Sequence, residues 1–139
     1  MALSPEHEEE LRILVQRLAR RIRAERGANV SDSQLGVMVQ LHTGGAASPS
    51  RLAEREGVSP PSINRTLNAL ADAGYIRREP APDDARKVLV TLTDDGAALV
   101  AETRRLRSAW FHDRLAELDG SDRALLEEVL PVVRRLAGS

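Results

Sequence analysis

The sequence predicts a mainly α-helical fold with one small β-hairpin. Three observations carry this. Apolar residues recur at helical spacing along most of the 139 residues, each stripe opened by a capping residue. Only between Tyr75 and Leu92 do two short alternating runs flank a turn. Hydrophobic residues make up 42% of the chain and aromatics only 2%, so the core is aliphatic, a composition that suits helices. The length fits one domain, residues 1–139.

The first helix starts at Ser4-Pro5 and carries Leu11, Leu14, Val15, Leu18 and Ile22 on one stripe. Glutamates crowd its start, where the helix end is positive, and Arg17, Arg20, Arg21, Arg23 and Arg26 crowd its end before Gly27 stops it. "SDSQ", Ser31 to Gln34, is a capping-box pattern. The second helix that it opens carries Leu35, Met38, Val39, Leu41 and His42 and ends at Gly44-Gly45. The third is short: Ser48 caps it, Pro49 takes the first helical position and Gly57 ends it. Only Val58-Ser59 separates it from the fourth, which Ser59 caps. Two short helices joined by a glycine-containing turn make a helix-turn-helix candidate.

At about 100° per residue, Ile63, Leu67 and Leu70 share one face of the fourth helix. Pro61, Arg65, Asn68 and Asp72 point the opposite way, with Asn64 to one side. One face is therefore core, and the other carries groups that hydrogen-bond bases and phosphates. Gly74 ends the helix. Tyr75 to Glu79 and Arg86 to Leu92 read as strands joined by the turn Pro80 to Asp84, a wing beside the helix-turn-helix. Thr93 caps a fifth helix with the stripe Leu99, Thr103, Leu106 and Trp110, expected to run to about Leu118. "DGSD", Asp119 to Asp122, breaks it. A last helix carries Leu125, Leu126, Val129, Leu130, Val133 and Leu136, with Pro131 expected to kink it.

Several function classes are excluded. With no cysteine there is no disulfide, thiolate metal site or thiol redox sensor. His7, His42 and His112 are too scattered for a metal motif, and no metal or cofactor is expected. Neither a signal peptide nor a membrane span is present in the pattern, which fits a cytoplasmic protein. No HExxH, GxSxG, glycine-rich phosphate loop or cysteine nucleophile occurs, so an enzyme is not expected.

In "LAEREGVSPPSINRTLNALADAGYIRREPAPDDARKVLVTLTDDG", Leu52 to Gly96, the chain resembles the MarR family of bacterial transcription regulators. The matching elements are Leu52-Ala53, Gly57-Val58-Ser59, Arg65, Leu67, Leu70, Gly74, Ile76 and Arg78. The wing adds Asp84, Arg86, Val90, Leu92-Thr93 and Gly96. Their order and spacing together are specific, and the resemblance extends over nearly the whole chain. It implies a winged helix-turn-helix at residues 31–96, with dimerisation helices at 1–30 and 97–139. It also implies a homodimer, double-stranded DNA as partner, and a cleft that takes small aromatic acids. Where family members often place a second arginine in the wing this chain has Ala85, which implies fewer wing contacts, with Lys87 as a partial substitute.

The expected DNA-binding residues are Ser59, Pro61, Ser62, Asn64, Arg65 and Asn68 on the fourth helix, with Arg86 and Lys87 in the wing. Asp83 or Asp84 pairs with Arg86 and aims it, and Asp84 is the expected wing support. The ligand candidates are His42 and Trp110. For Trp110, packing in the core or at the dimer interface is the favoured reading over ligand stacking. The expected function is a ligand-responsive repressor that binds a pseudo-palindromic operator as a homodimer. The alternative is a winged helix used for protein–protein contact. It rests on charge: the whole chain carries −1, and between Ser59 and Thr93 the basic residues barely outnumber the acidic ones.

Overall fold

The structure, a computed structural model, describes residues 2–138, so Met1 and Ser139, the outer ends of the expected dimerisation segments, lie outside the described residues. The element order is α1 (Pro5–Arg23), α2 (Asp32–Gly44), α3 (Pro49–Glu56), α4 (Pro60–Asp72), β1 (Ile76–Pro80), β2 (Val88–Leu92), α5 (Asp94–Ala116) and α6 (Gly120–Ala137).

Every helix opens as its local chemistry dictates. Ser4, Ser31, Ser48, Ser59, Thr93 and Asp119 each sit in extended backbone and accept the N–H three residues on. The Ser31–Gln34 capping box is complete in both directions. α1 stops at Arg23, four residues before the glycine expected to end it. The cause is tertiary. Arg107 of α5 donates from Nε to the Glu25 carbonyl (3.1 Å) and from Nη2 to the Arg23 carbonyl (3.2 Å). The Gly27 N–H donates to Thr103 Oγ1 at 3.2 Å. These contacts satisfy terminal groups that a longer helix would satisfy internally. α5 ends at Ala116, slightly short of the expected Leu118. α6 continues through Pro131, whose ring removes one backbone donor from the helix.

The core lies between Val30 and Val100 and is aliphatic. Met38, Leu52, Leu67 and Val90 are fully buried at its centre. α1 and α6 contribute no buried residue. Instead Leu11, Leu14, Val15 and Leu18 of α1 and Leu125, Val129, Val133 and Leu136 of α6 are exposed, Leu136 at 75%. An apolar area of this extent on two helices is more than a lone soluble chain ordinarily leaves in water.

β1 and β2 pair antiparallel, with Ile76 opposite Leu92 and Pro80 opposite Val88. Val90 also exchanges hydrogen bonds with Ala47 on its other edge, at 3.2 and 2.8 Å, so β2 is paired on both sides and its central residue is sealed. The strands differ from expectation at the tip. Pro80 belongs to β1, while Arg86 and Lys87 lie in the connection. The Asp84 carboxylate takes the Arg86 N–H and the Asp84 carbonyl takes the Lys87 N–H, both at 3.0 Å. That local turn outcompetes extension of the strand.

Candidate nucleic-acid interface

The turn between α3 and α4 depends on Gly57, whose φ of +66° lies in the left-handed region. Gly57 and Val58 donate back to the Glu54 and Ala53 carbonyls, closing α3 and starting α4 two residues later. Ser59 Oγ accepts the Ser62 N–H at 3.3 Å, so its hydroxyl serves the helix first. Ile63, Leu67 and Leu70 are buried and hold α4 against the core. The opposite face is solvated: Pro61, Asn64, Arg65 and Asn68 are exposed and Ser62 is half-buried. Among the described residues, no side chain pairs with Asn64 or with the Arg65 guanidinium.

Asn68 does have a partner. Its Oδ1 accepts from Arg78 Nη2 of β1 at 2.7 Å, which joins α4 to the wing. Arg78 was not among the expected site residues. Its place in the sequence pattern is visible, but its reach to α4 depends on how β1 folds back after Gly74.

In the wing, Asp84 supports Arg86 with both carboxylate oxygens. Arg86 Nε donates to Oδ1 at 3.1 Å and Nη2 to Oδ2 at 3.3 Å, alongside the backbone bond from its own N–H. The side-chain bond from Arg86, then the backbone bond, hold the Asp84 carboxyl below its usual range. The Arg86 side chain is nevertheless 91% exposed, so the guanidinium is aimed and still open to solvent. Asp83 makes no such bond among the described residues. Lys87 is exposed beside it.

A cavity of about 250 Å³ lies between α2 and α5, lined by Leu35, Val39, Val100, Thr103, Arg104, Arg107 and Ser108. Neither ligand candidate reaches it. His42 is exposed, a single helical step beyond buried Leu41. Trp110 is half-buried, with the Arg21 and Arg114 guanidinium groups 5.2 and 5.0 Å from its ring centre, so it packs α5 against α1. Burial pushes the Arg107 guanidinium below the usual arginine range, while Asp32 opposes the shift. Arg104 and Arg107, which line the cavity, were not among the candidates read from the sequence. Among the described residues no acidic or histidine cluster suits a metal ion, and no helix is long and apolar enough to cross a membrane.

The MarR family model matches residues 30–88, the stretch from the first core residue to the start of β2. The multiple antibiotic resistance protein MarR of Salmonella typhimurium is 30% identical over 108 residues, covering 74% of this chain and 75% of that protein. The chain belongs to the MarR family of transcription regulators. This MarR-family chain is also 41% identical over 128 residues to an HTH-type transcriptional regulator of Mycobacterium bovis, covering 91% of the chain and 90% of the relative. A solved protein of Pseudomonas aeruginosa superposes with a TM-score of 0.82 at 33% identity, covering 95% and 94% of the two chains. A mutant MarR of Escherichia coli solved with operator DNA superposes with a TM-score of 0.64 at 24% identity, covering 93% and 94%. These relatives are named as regulators, not enzymes.

Proposed function

We propose that this MarR-family chain is a homodimeric, sequence-specific DNA-binding repressor that a small aromatic acid releases from its operator. The observation that carries the DNA reading is the outer face of α4. Pro61, Asn64 and Arg65 are exposed, without a side-chain partner among the described residues, on a helix whose other face is locked into the core, beside a wing whose Arg86 is aimed outward by Asp84. Ser59, Ser62 and Asn68 complete the helix contacts and Lys87 those of the wing. Residues 31–96 form the DNA-binding part of one domain, and 1–30 with 97–139 supply its dimerisation helices. The operator-bound MarR neighbour supports this reading at the level of fold.

The partner for α1 and α6 is a second copy of the chain. Their apolar stripes are exposed. α1 carries acids in its first turn and arginines in its last, so antiparallel copies of the helix match opposite charges. A two-fold dimer would present two α4 helices to half-sites about one DNA turn apart. The cavity between α2 and α5 suits the ligand: Leu35, Val39 and Val100 are apolar, and Arg104 and Arg107 offer charge for a carboxylate. Binding there would favour one spacing of the two α4 helices over another. Such a protein works in the cytoplasm.

The test is a footprint on the protein's own promoter region, repeated across salt concentrations and with a panel of aromatic acids. A protected pseudo-palindrome that fades with salt and with one acid is the expected result. An intact dimer that protects nothing returns the protein-contact reading, which the near-balance of charge between Ser59 and Thr93 favours.

A further inference from the structure

The bond between Arg78 and Asn68 bears on what α4 can read. A guanidinium offers only donors. The amide oxygen of Asn68 must therefore be the end that faces Arg78, and the 2.7 Å contact to Oδ1 is the arrangement the chemistry requires. Arg77 and Glu79, one residue either side of Arg78 on β1, pair with each other at 3.3 Å. Alternation along the strand turns them to the opposite face. Arg78 is thus the β1 guanidinium that reaches α4.

The consequence falls on the other end of the amide. Asn68 is exposed, and among the described residues its Nδ2 has no partner. It lies one turn beyond Arg65 on the same outer face. A cation on the oxygen polarises the N–H groups outward. We infer that Asn68 presents these N–H groups to DNA, aimed by Arg78 as a positioning residue. Their target is an acceptor, either a base edge such as guanine O6/N7 or a phosphate oxygen. This rests on the DNA-binding reading above.

The bond also links two contact surfaces. α4 and the wing would engage different grooves, and Arg78 fixes the amide of one from the strand that leads into the other. Both residues are exposed, so the bond adds little to folding stability, and its loss should register in recognition rather than in thermal unfolding.

The experiment is selection from a randomised duplex library, followed by titration of the selected site. It compares the unaltered dimer with Asn68→Ala, Arg78→Ala, Arg78→Gln and the Asn68→Ala/Arg78→Ala pair. Asn68→Ala should weaken binding between about threefold and tenfold, the worth of one hydrogen bond. Arg78→Ala should weaken it less, and the pair should be little worse than Asn68→Ala. Arg78→Gln keeps an amide donor for Oδ1 without the charge, and should recover the selectivity that Arg78→Ala loses. Loss of a base preference at one position per half-site identifies a base contact; uniform weakening on all duplexes identifies a phosphate. Additivity of the two alanine changes overturns the inference. A selected site for the unaltered chain that every variant binds equally overturns it alone. No selected site for the unaltered chain overturns the DNA reading and this inference with it.

Discussion

A Cβ on Gly96 would stand 2.3 Å from the carbonyl oxygen of Tyr75. That oxygen already accepts the Thr93 N–H at 3.0 Å, and the Thr93 hydroxyl donates to the Gly74 carbonyl at 2.7 Å while accepting from the Gly96 N–H at 3.1 Å. The first turn of α5 therefore sits directly on the turn that closes α4. Gly96→Ala pushes a methyl group into backbone, which no rotamer change relieves. It should cost about 1–3 kcal/mol of stability, as overpacking does. Calorimetry would show this as a fall of several degrees in Tm; an unchanged Tm would mean that α5 shifts freely on the wing unit.

Arg65→Ala should leave folding intact, because Arg65 faces away from Ile63, Leu67 and Leu70 and its guanidinium has no partner among the described residues. If Arg65 reads a guanine, operator binding should weaken by about 1–3 kcal/mol and preference should relax at one base position per half-site. If it holds a phosphate, operator and scrambled DNA should weaken alike. Titration against both duplexes, with circular dichroism as a check on folding, separates the outcomes, and unchanged binding to both removes Arg65 from the interface.

Arg86→Ala should lower the salt slope of binding by about one for each phosphate that the guanidinium neutralises, and should act most on A·T-flanked sites, where a narrow minor groove attracts a guanidinium. The support from Asp84 gives this a pH signature. The folded carboxyl titrates below its usual range, so its pairing with Arg86 is fully present above the ordinary aspartate pKa and is lost only as pH falls through the lowered folded value. The Arg86 Nε–H resonance should therefore hold its position from neutral pH down to about 5 and move only in stronger acid. Movement near neutral pH would place a different group against Arg86.

Deletion of residues 121–139 should abolish the dimer. Leu125, Val129 and Val133 are exposed, and the core from Val30 to Val100 does not include them. The truncated chain should keep the far-UV helical signal of α2 to α5, lose the dimer species in sedimentation, aggregate, and bind operator far more weakly. A soluble truncated monomer with full operator affinity would show that α6 is not the dimer surface.

Caps, stops and faces were legible because they are local. Ser31 with Gln34, Ser48 with Pro49, and Gly57 act within one helical turn, and the 3.6-residue period of Ile63, Leu67 and Leu70 separates the core face of α4 from its outer face. The pairing of Asp84 with Arg86 was legible for the same reason, since they stand only two positions apart. What stayed hidden depends on groups far apart in the chain. α1 ends at Arg23, whose carbonyl takes a bond from Arg107, more than eighty residues on, as well as from Arg26 nearby. β2 gains a second edge from Ala47, and Asn68 is oriented by a guanidinium from the next element. The cavity is lined by Arg104 and Arg107 rather than by His42 or Trp110, because packing of α5 on α1 and α2 sets which residues meet there. Residue type and local spacing are enough to choose a helix and its buried face. Which distant donor meets which acceptor depends on how those faces close on one another.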